Sequence, residues 1–216
     1  MLGRALKLAK QMGMKIDVPW INKLPEDNAR KVFVDSELEV KIKKAAAELG
    51  LWQRVFVEMG FLYGWRKGEL LSLTVSDVAL TDRSIRLRTS KNGEPREVPI
   101  TEGLLVLLLP LITGRTDRTA RLFPTDDFRS EWATICAKAG VASGKAGITF
   151  HDLRRTSARN KRNDGMPVQG IMELQGWKTE AMFRRYAITD IADKRKWLEM
   201  SQNPSKEGVS LPGGQA

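Results

Sequence analysis

The sequence predicts a mainly α-helical (α+β) protein with one small antiparallel β-sheet. Most of the 216 residues fall into segments with helical periodicity that end at glycine or proline. One stretch instead alternates apolar and basic residues, and turn residues and a second extended stretch follow it. Hydrophobic residues make up 42% of the chain, which is enough for the core of one domain with flanking segments.

Four helical segments are predicted before the sheet, at residues 2–12, 36–49, 51–62 and 68–73. Ser36 and Glu39 have the spacing of a capping box, which predicts the start of the second helix. Gly50 and Gly64 are expected to end the second and third helices, because glycine readily adopts the conformation that closes a helix. A proline-containing connector follows the first helix, so residues 1–30 are predicted to be separate from the main domain.

The hairpin is predicted at residues 84–89 and 96–100, with turn residues at 91–94. The helices predicted after it lie at residues 104–109, 126–139, 149–159, 168–176, 179–186 and 191–200. The helix at 126–139 places four apolar side chains on one face, which predicts that it packs on the core. The segment 201–216 lacks periodicity and is expected to be a flexible tail.

The net charge of +10 indicates a polyanionic partner, with nucleic acid as the first expectation and an anionic membrane surface as the second. No apolar run approaches the roughly 20 residues that span a bilayer. No signal-peptide pattern is visible, so the protein is expected to be cytoplasmic. The single cysteine, Cys136, excludes an internal disulfide and argues against a cysteine-based zinc site.

The strongest local pattern is His151-Asp152-Leu153-Arg154-Arg155. His151 and Arg154 are three residues apart, and therefore on one face of the predicted helix near its N-terminus. A helix N-terminus attracts anions, and a guanidinium donates paired hydrogen bonds to phosphate, so the pattern predicts a phosphate pocket. Arg155 can reach the same face, and spacing does not choose between the two arginines. Taken alone, the segment also fits a surface helix with solvated arginines.

Two further patterns carry candidate residues. Arg66 follows the break at Gly64 and precedes Glu69 by three residues, so the carboxylate can orient the guanidinium. The alternative is an exposed ion pair worth a few tenths of a kcal/mol. Tyr186 directly follows two arginines near the end of a helix, although most helical tyrosines serve packing. Tyr63 lies in an apolar helix end and is predicted to belong to the core.

Together these segments resemble the tyrosine recombinase (phage integrase) family over about residues 30–200. The segments that match its motifs are residues 62–70 (the arginine box), Lys91 (the hairpin lysine), residues 151–154 (the His-x-Leu-Arg box), and residues 175–177 followed by Tyr186. One box alone would carry little weight, whereas four in register are specific. The resemblance implies the catalytic domain of that family over residues 31–200, with residues 1–30 as the end of a core-binding domain or a linker.

The resemblance also implies the activity, which is site-specific recombination of DNA for integration or excision. It proceeds by strand cleavage and rejoining through a 3′-phosphotyrosine intermediate and uses no metal or cofactor. The implied catalytic residues are Arg66, Lys91, His151, Arg154, Trp177 and the nucleophile Tyr186, with Glu69 in support. The implied partner is double-stranded DNA at a specific site, on which the protein would form a tetramer. The implied source is a bacterium or phage, with a mobile element as the setting. The sequence leaves open whether the system is a prophage, an integrative plasmid or one that resolves chromosome dimers.

Two departures from the family pattern stand out. Trp177 occupies a position that is often histidine, and an indole can donate a hydrogen bond but cannot exchange protons. Gln175 replaces a leucine. The alternatives are a type IB topoisomerase, which shares the nucleophile chemistry, and a catalytically silent DNA-binding remnant, against which the intact residue set argues. The helix at residues 191–200 could dock on a neighbouring protomer or pack on its own domain.

Overall fold

The computed structural model describes residues 2–19, 32–88, 95–186 and 191–202. The helices before the sheet are α1 (Leu2–Gln11), α2 (Ser36–Leu49), α3 (Leu51–Tyr63) and α4 (Lys67–Leu71). The strands are β1 (Val78–Ala79), β2 (Ser84–Leu87) and β3 (Arg96–Pro99). The helices after the sheet are α5 (Glu102–Ile112), α6 (Arg129–Lys138), α7 (Phe150–Asn163), α8 (Val168–Gln175), α9 (Glu180–Tyr186) and α10 (Ile191–Gln202).

The predicted fold class is confirmed: the chain is mainly helical and has a small antiparallel sheet in the order β1–β2–β3. Val78 pairs with Ile85, and Ile85 pairs with Val98, so one buried row crosses all three strands. The two-residue strand β1 is absent from the prediction because so short a segment carries no period. The predicted turn at residues 91–94, which includes Lys91, lies outside the described residues.

Most helix ends agree with the prediction to within two residues. Helix α5 ends three residues later than predicted, beyond Pro110, and α6 begins three residues later. The side chain that caps α2 is Asp35 rather than Ser36, and it accepts a hydrogen bond from the Leu38 amide at 2.8 Å. Helix α7 continues to Asn163, four residues past the predicted end, because only Gly165 and Pro167 interrupt it.

Contacts divide the chain into two units, Met1–Arg30 and Lys31–Ala216. In the first unit, α1 has no buried residue. The core of the second unit surrounds α3, whose neighbours include α2, α5 and α7. No helix within the described residues combines the length and apolar character that crossing a bilayer requires.

A cluster of phenylalanines joins α3 to α6 and α7. The Phe56 ring lies 4.1 Å from Phe128 and 5.1 Å from Phe150, measured between ring centroids. Gly60 permits this approach, because a Cβ atom there would stand only 2.8 Å from the Phe150 ring. The buried aromatic rings hold the start of α7 against the last turns of α3. The segments with the arginine box and the His-x-Leu-Arg box are thereby brought together.

A polar contact joins α10 to α7. Buried Asp193 accepts hydrogen bonds from Arg159 Nε at 3.1 Å and from Asn163 Nδ2 at 2.8 Å. The Arg162 guanidinium carbon lies 4.2 Å from the centroid of the Trp197 ring. Helix α10 therefore contacts its own domain in this structure, which is the second of the two arrangements that the sequence leaves open.

Candidate active site

The N-terminus of α7 is set by a capping box that the His-x-Leu-Arg segment contains. The Asp152 carboxylate accepts hydrogen bonds from the Thr149 amide at 2.8 Å and from the Thr149 hydroxyl at 2.7 Å. Asp152 is fully buried, so this aspartate caps the start of the helix rather than facing solvent. His151 lies beside it on the exposed side of the first turn. The capping box in the local sequence therefore places His151 in the first turn of α7.

Tyr186 ends α9 and is held by two rings. Its hydroxyl lies 3.1 Å from His151 Nε2, within hydrogen-bond distance. The phenol ring stacks on buried Trp177, with centroids 5.2 Å apart and planes within 12°. Trp177 in turn packs edge-on against Phe183 of α9, which belongs to the same small apolar cluster. The phenolic oxygen is thus held at the imidazole by packing as well as by the polar contact.

Arg154 lies directly beneath Tyr186 and Trp177 and is only 1% exposed. Its NH1 donates to the Gly64 carbonyl at 2.6 Å, and its NH2 donates to the Gln175 carbonyl at 2.8 Å. The guanidinium carbon lies 4.9 Å from the Trp177 ring centroid and 5.9 Å from that of Tyr186. Arg154 therefore ties together three of the segments that the sequence singles out.

Gln175 matters more than the sequence indicates. It is fully buried, and its Nε2 donates to the Arg154 carbonyl at 3.3 Å, so the two residues are bonded in both directions. The sequence comparison registers only a departure from leucine. The burial of Gln175, which obliges its amide to find partners, is visible only in the structure.

Arg155 also reaches the site. It is buried, its guanidinium carbon lies 5.4 Å from the Tyr186 ring centroid, and its Nε lies 3.9 Å from the Asp152 carboxylate. The sequence leaves open which of the two arginines faces the histidine side of the helix, and the structure brings both to the tyrosine. The set of catalytic residues inferred from the sequence omits Arg155, because the spacing is compatible with either arginine and does not select this one.

Arg66 and Glu69 form a partly buried pair at the start of α4, not the exposed ion pair of the alternative interpretation. Glu69 Oε1 accepts a hydrogen bond from Arg66 NH1 at 3.0 Å, and Oε2 accepts one from the Arg66 amide at 2.9 Å. The Glu69 side chain is 4% exposed and that of Arg66 is 28% exposed. The carboxylate is thus inside the protein, and the guanidinium that it holds keeps access to solvent.

Positive charge dominates the site. Partial desolvation of the ring, followed by the positive charges of Arg154 and Arg155, lowers the pKa of His151 to about 4. Burial, followed by the charge of Arg66, lowers the pKa of Arg154, while Glu69 and Tyr186 oppose the change. An anion bound here would offset the repulsion from the neighbouring arginines in both cases.

Two of the buried donors that have no acceptor among the described residues lie next to Tyr186. They are the indole Nε1 of Trp177 and Nε of Arg154. Buried donors are paired in most proteins, so donors left without a partner beside a cationic cluster indicate where an anionic ligand binds. Among the described residues, no group of three histidine, cysteine or acidic side chains could hold a metal ion. Lys91 lies outside those residues, and its placement stays a prediction.

Comparison with known proteins gives a family and several relatives. The profile of the phage integrase family matches residues 33–192. The tyrosine recombinase XerA of Saccharolobus solfataricus is 29% identical over 197 residues, which are 87% of this chain and 65% of that protein. The integrase of Escherichia phage HK022 is 29% identical over 160 residues, covering 68% of this chain and 44% of that protein. The chain thus spans less than two thirds of the length of these curated relatives.

Solved structures give the same fold. The crystal structure of XerA recombinase superimposes with a TM-score of 0.68 at 22% identity, covering 95% of this chain and 75% of that chain. The Tn1549 transposon integrase, solved in complex with circular intermediate DNA, gives a TM-score of 0.69 at 19% identity, with 91% and 75% covered. The catalytic domain of bacteriophage HP1 integrase gives 0.60 at 22% identity and is covered completely, by 82% of this chain.

Proposed function

Because this chain belongs to the phage integrase family, we propose that it recombines double-stranded DNA at a specific site by breaking and rejoining strands through Tyr186. The observation that carries the proposal is the 3.1 Å contact between the Tyr186 hydroxyl and His151 Nε2, above buried Arg154. A nucleophile, a proton acceptor and a phosphate-binding cation then meet in one place.

The proposed reaction exchanges one phosphodiester for another. The Tyr186 oxygen attacks a DNA phosphorus, the bond from phosphorus to the 5′-oxygen breaks, and a 3′-phosphotyrosine and a free 5′-hydroxyl result. The phenolic proton passes to His151, whose lowered pKa leaves the imidazole neutral and able to accept it at pH 7. A 5′-hydroxyl of another strand reverses the step. Since the number of ester bonds is conserved, the exchange needs no ATP or other cofactor.

Arg66 and Arg154 are proposed to stabilise the charge that develops on the phosphorane. Charged donors held in place before the reaction are most effective in a buried site, and Arg154 is held by two backbone carbonyls. Trp177 would donate its unpaired indole N–H to a non-bridging oxygen. Glu69 would keep the Arg66 guanidinium in position through the pair described above.

Lys91 is proposed as the general acid that protonates the leaving 5′-oxygen. The described strands β2 and β3 form the hairpin whose predicted turn includes it. An ammonium group suits this role, because it supplies a proton where an oxyanion would otherwise leave. The assignment comes from the family resemblance.

The proposed partner is a double-stranded recombination or attachment site, with four protomers on the DNA. The net charge of +10 supports an anionic partner, and the Tn1549 relative was solved with DNA. Integration or excision of a mobile element is the biological setting that we propose. Both the tetramer and the specific site come from the resemblance.

The test is covalent trapping on a nicked suicide substrate that contains the attachment sites flanking the coding gene. The nick lets the short 5′-hydroxyl fragment diffuse away, so the phosphotyrosine accumulates and is seen on a denaturing gel. Tyr186→Phe is expected to bind the DNA but to form no adduct. Tyr63→Phe is the matched control: this tyrosine donates to the Pro99 carbonyl at 2.7 Å, and its loss costs stability of about 1 kcal/mol but leaves the adduct.

Peptide mapping identifies the residue that is joined to DNA. An adduct that persists in Tyr186→Phe, or a phosphopeptide that maps elsewhere, would contradict the proposal. Stable DNA binding without any adduct in the wild-type protein would favour the catalytically silent alternative instead.

A further inference from the structure

Arg96 is a largely buried arginine at the start of β3 that the proposed mechanism does not use. Its side chain is 10% exposed, although it lies at the base of a hairpin where arginine normally faces solvent. Among the described residues, its Nε and NH1 have no hydrogen-bond acceptor. A buried guanidinium carries a large desolvation cost, so its retention needs an explanation in the charges that it faces.

The charge that Arg96 faces is the carboxylate of Glu69. Arg96 NH2 donates to Glu69 Oε2 at 3.1 Å, while Arg66 NH1 donates to Glu69 Oε1 at 3.0 Å. One carboxylate is thus shared by two arginines, one at the N-cap of α4 and one in β3. With Oε2 bonded to Arg96, rotation of the carboxylate would break a charge-assisted hydrogen bond, so Oε1 stays directed at Arg66.

Packing also holds Arg96 in place. Its guanidinium carbon lies 5.2 Å from the Trp65 ring centroid, and Trp65 is itself anchored by a hydrogen bond to the Leu174 carbonyl at 2.8 Å. On the other side is Gly176, where a Cβ atom would stand 2.5 Å from Arg96 NH1. Arg96 therefore contacts the arginine box and the segment that carries Trp177.

We propose that Arg96 is a positioning residue for Arg66 and that it acts through Glu69. This inference rests on the proposed function, in which Arg66 stabilises the reacting phosphate. Arg96 itself touches no reacting atom: it holds the shared carboxylate in the orientation that directs the Arg66 guanidinium. Its positive charge also neutralises part of the negative charge of Glu69, so the Arg66 guanidinium keeps more of its own charge for the phosphate.

The kinetic test measures single-turnover cleavage of the suicide substrate at saturating DNA, together with the Kd for the same DNA. Arg96→Gln is expected to lower the cleavage rate roughly 10- to 100-fold, the range in which misplaced catalytic groups act, and to change the Kd less than about threefold. Arg96→Lys keeps the charge but not the planar fork of donors, so it is expected to recover the rate only in part, to roughly 3- to 10-fold below wild type. If Arg96 were only structural, the rate and the Kd would change together, and Arg96→Lys would not be faster than Arg96→Gln.

The matched control is Arg86→Gln on the neighbouring strand. Arg86 also pairs with a glutamate, Glu97, at 3.1 Å, but its side chain is 66% exposed. Its loss removes the same charge and the same kind of pair from the same hairpin, and the rate at saturating DNA is expected to stay within about twofold of wild type. A drop equal to that of Arg96→Gln would assign the effect to net charge and overturn the proposal.

The double variant Arg96→Gln with Glu69→Gln tests the route of action. Because Arg96 acts through Glu69, its loss should add less than about threefold once the carboxylate is gone. Fully multiplicative losses would overturn the proposal, as would a wild-type cleavage rate in a folded Arg96→Gln protein. If Arg96→Gln does not fold, Arg96→Lys carries the test, and a rate equal to wild type overturns the proposal.

A measurement without DNA separates this inference from the proposed function. In arginine side-chain NMR, the pair with Glu69 should slow rotation of the Arg66 guanidinium, and Arg96→Gln should restore fast rotation. This result would support the positioning of Arg66 even if the wild-type protein formed no adduct. An unchanged Arg66 signal would overturn the positioning role even if Tyr186 were trapped on DNA.

Discussion

At the scale of single residues, the state of His151 follows from its neighbours. Partial desolvation disfavours the imidazolium, and Arg154 and Arg155 repel it, so the pKa of His151 falls from 6.5 to about 4. A neutral imidazole at pH 7 can accept the proton of the phenol that it contacts at 3.1 Å. The arginines thus keep the imidazole neutral in the free protein, and a bound phosphate that offsets their charge would make it a stronger proton acceptor.

The pKa of His151 is directly measurable, because it is the only histidine in the chain. We expect an NMR titration of the free protein to give a pKa near 4, well below the ordinary value. Bound DNA should raise that pKa, because a phosphate offsets the charges of Arg154 and Arg155. In the free protein, stability should fall as the pH drops from 6.5 towards 4, since the unfolded chain takes up the proton first. A value of 6.5 in the free protein would contradict this environment.

Lys91 offers a second prediction at the residue scale. Lys91→Ala should slow cleavage of ordinary DNA by roughly 10²–10⁴-fold, the usual contribution of a general acid. A 5′-bridging phosphorothioate has a leaving group that needs no proton, and it should restore most of the rate. Arg66→Ala is the comparison, because loss of a phosphate-stabilising charge should not be rescued in this way. Equal rescue of both variants, or of neither, would count against the general-acid role.

At the scale of elements, α7 completes the C-terminus of α3. The last carbonyls of a helix lack partners within it, and cations are favoured there. Arg154 donates to the Gly64 carbonyl at 2.6 Å, and Lys161 donates to the Leu62 carbonyl. Burial lowers the pKa of Lys161 to about 8, with Asp164 and Glu39 opposing the change. The end of α3 is therefore held by the helix that carries His151, which fixes the arginine box relative to it.

Gly64 is the backbone requirement of this junction. It ends α3 in the left-handed region at φ 63°, and a Cβ atom there would stand 2.6 Å from Gln175 Nε2. Gly64→Ala is therefore expected to cost at least about 1–2 kcal/mol of unfolding free energy and to displace Gln175 from Arg154. Urea unfolding and the suicide-substrate rate would measure the two effects.

Gly103→Ala is the control for that variant, because Gly103 lies in α5 with open space around it and no left-handed backbone. It should leave the protein as stable as wild type or more stable by up to about 1 kcal/mol. If Gly64→Ala were equally harmless, the junction would not depend on this conformation.

At the scale of the whole molecule, charge is distributed unevenly. The net charge is +10, and at the candidate site Arg66 and Arg96 share the carboxylate of Glu69, while Arg155 lies near that of Asp152. A surplus of this kind attracts a polyanion from solution and is screened by salt.

DNA affinity should accordingly fall steeply with salt. A plot of log K against log salt concentration is expected to have a slope steeper than about −3, which corresponds to three or more neutralised phosphates. Arg66→Gln should flatten that slope by about 1, since it removes one phosphate contact. A slope near zero would exclude the phosphate backbone as the main source of affinity.

The sequence by itself determined the elements, the order of the motif segments and most of the candidate set. These depend on local information: the helical period, glycine at helix ends, and spacings within one or two turns. The box spacings also sufficed for the family. The cap at Asp35 and the strand Val78–Ala79 escaped prediction, because a shift of one residue or a segment of two carries no pattern.

Only the tertiary structure decided which side chains share the site. His151 meets Tyr186 across 35 residues and Arg154 meets Gly64 across 90, distances over which no local pattern extends. Arg155, Gln175 and Arg96 joined the site for the same reason. Each packs against a partner from another element. Packing decides whether a charged side chain lies beside a carboxylate or in water, and the sequence order does not reveal that packing.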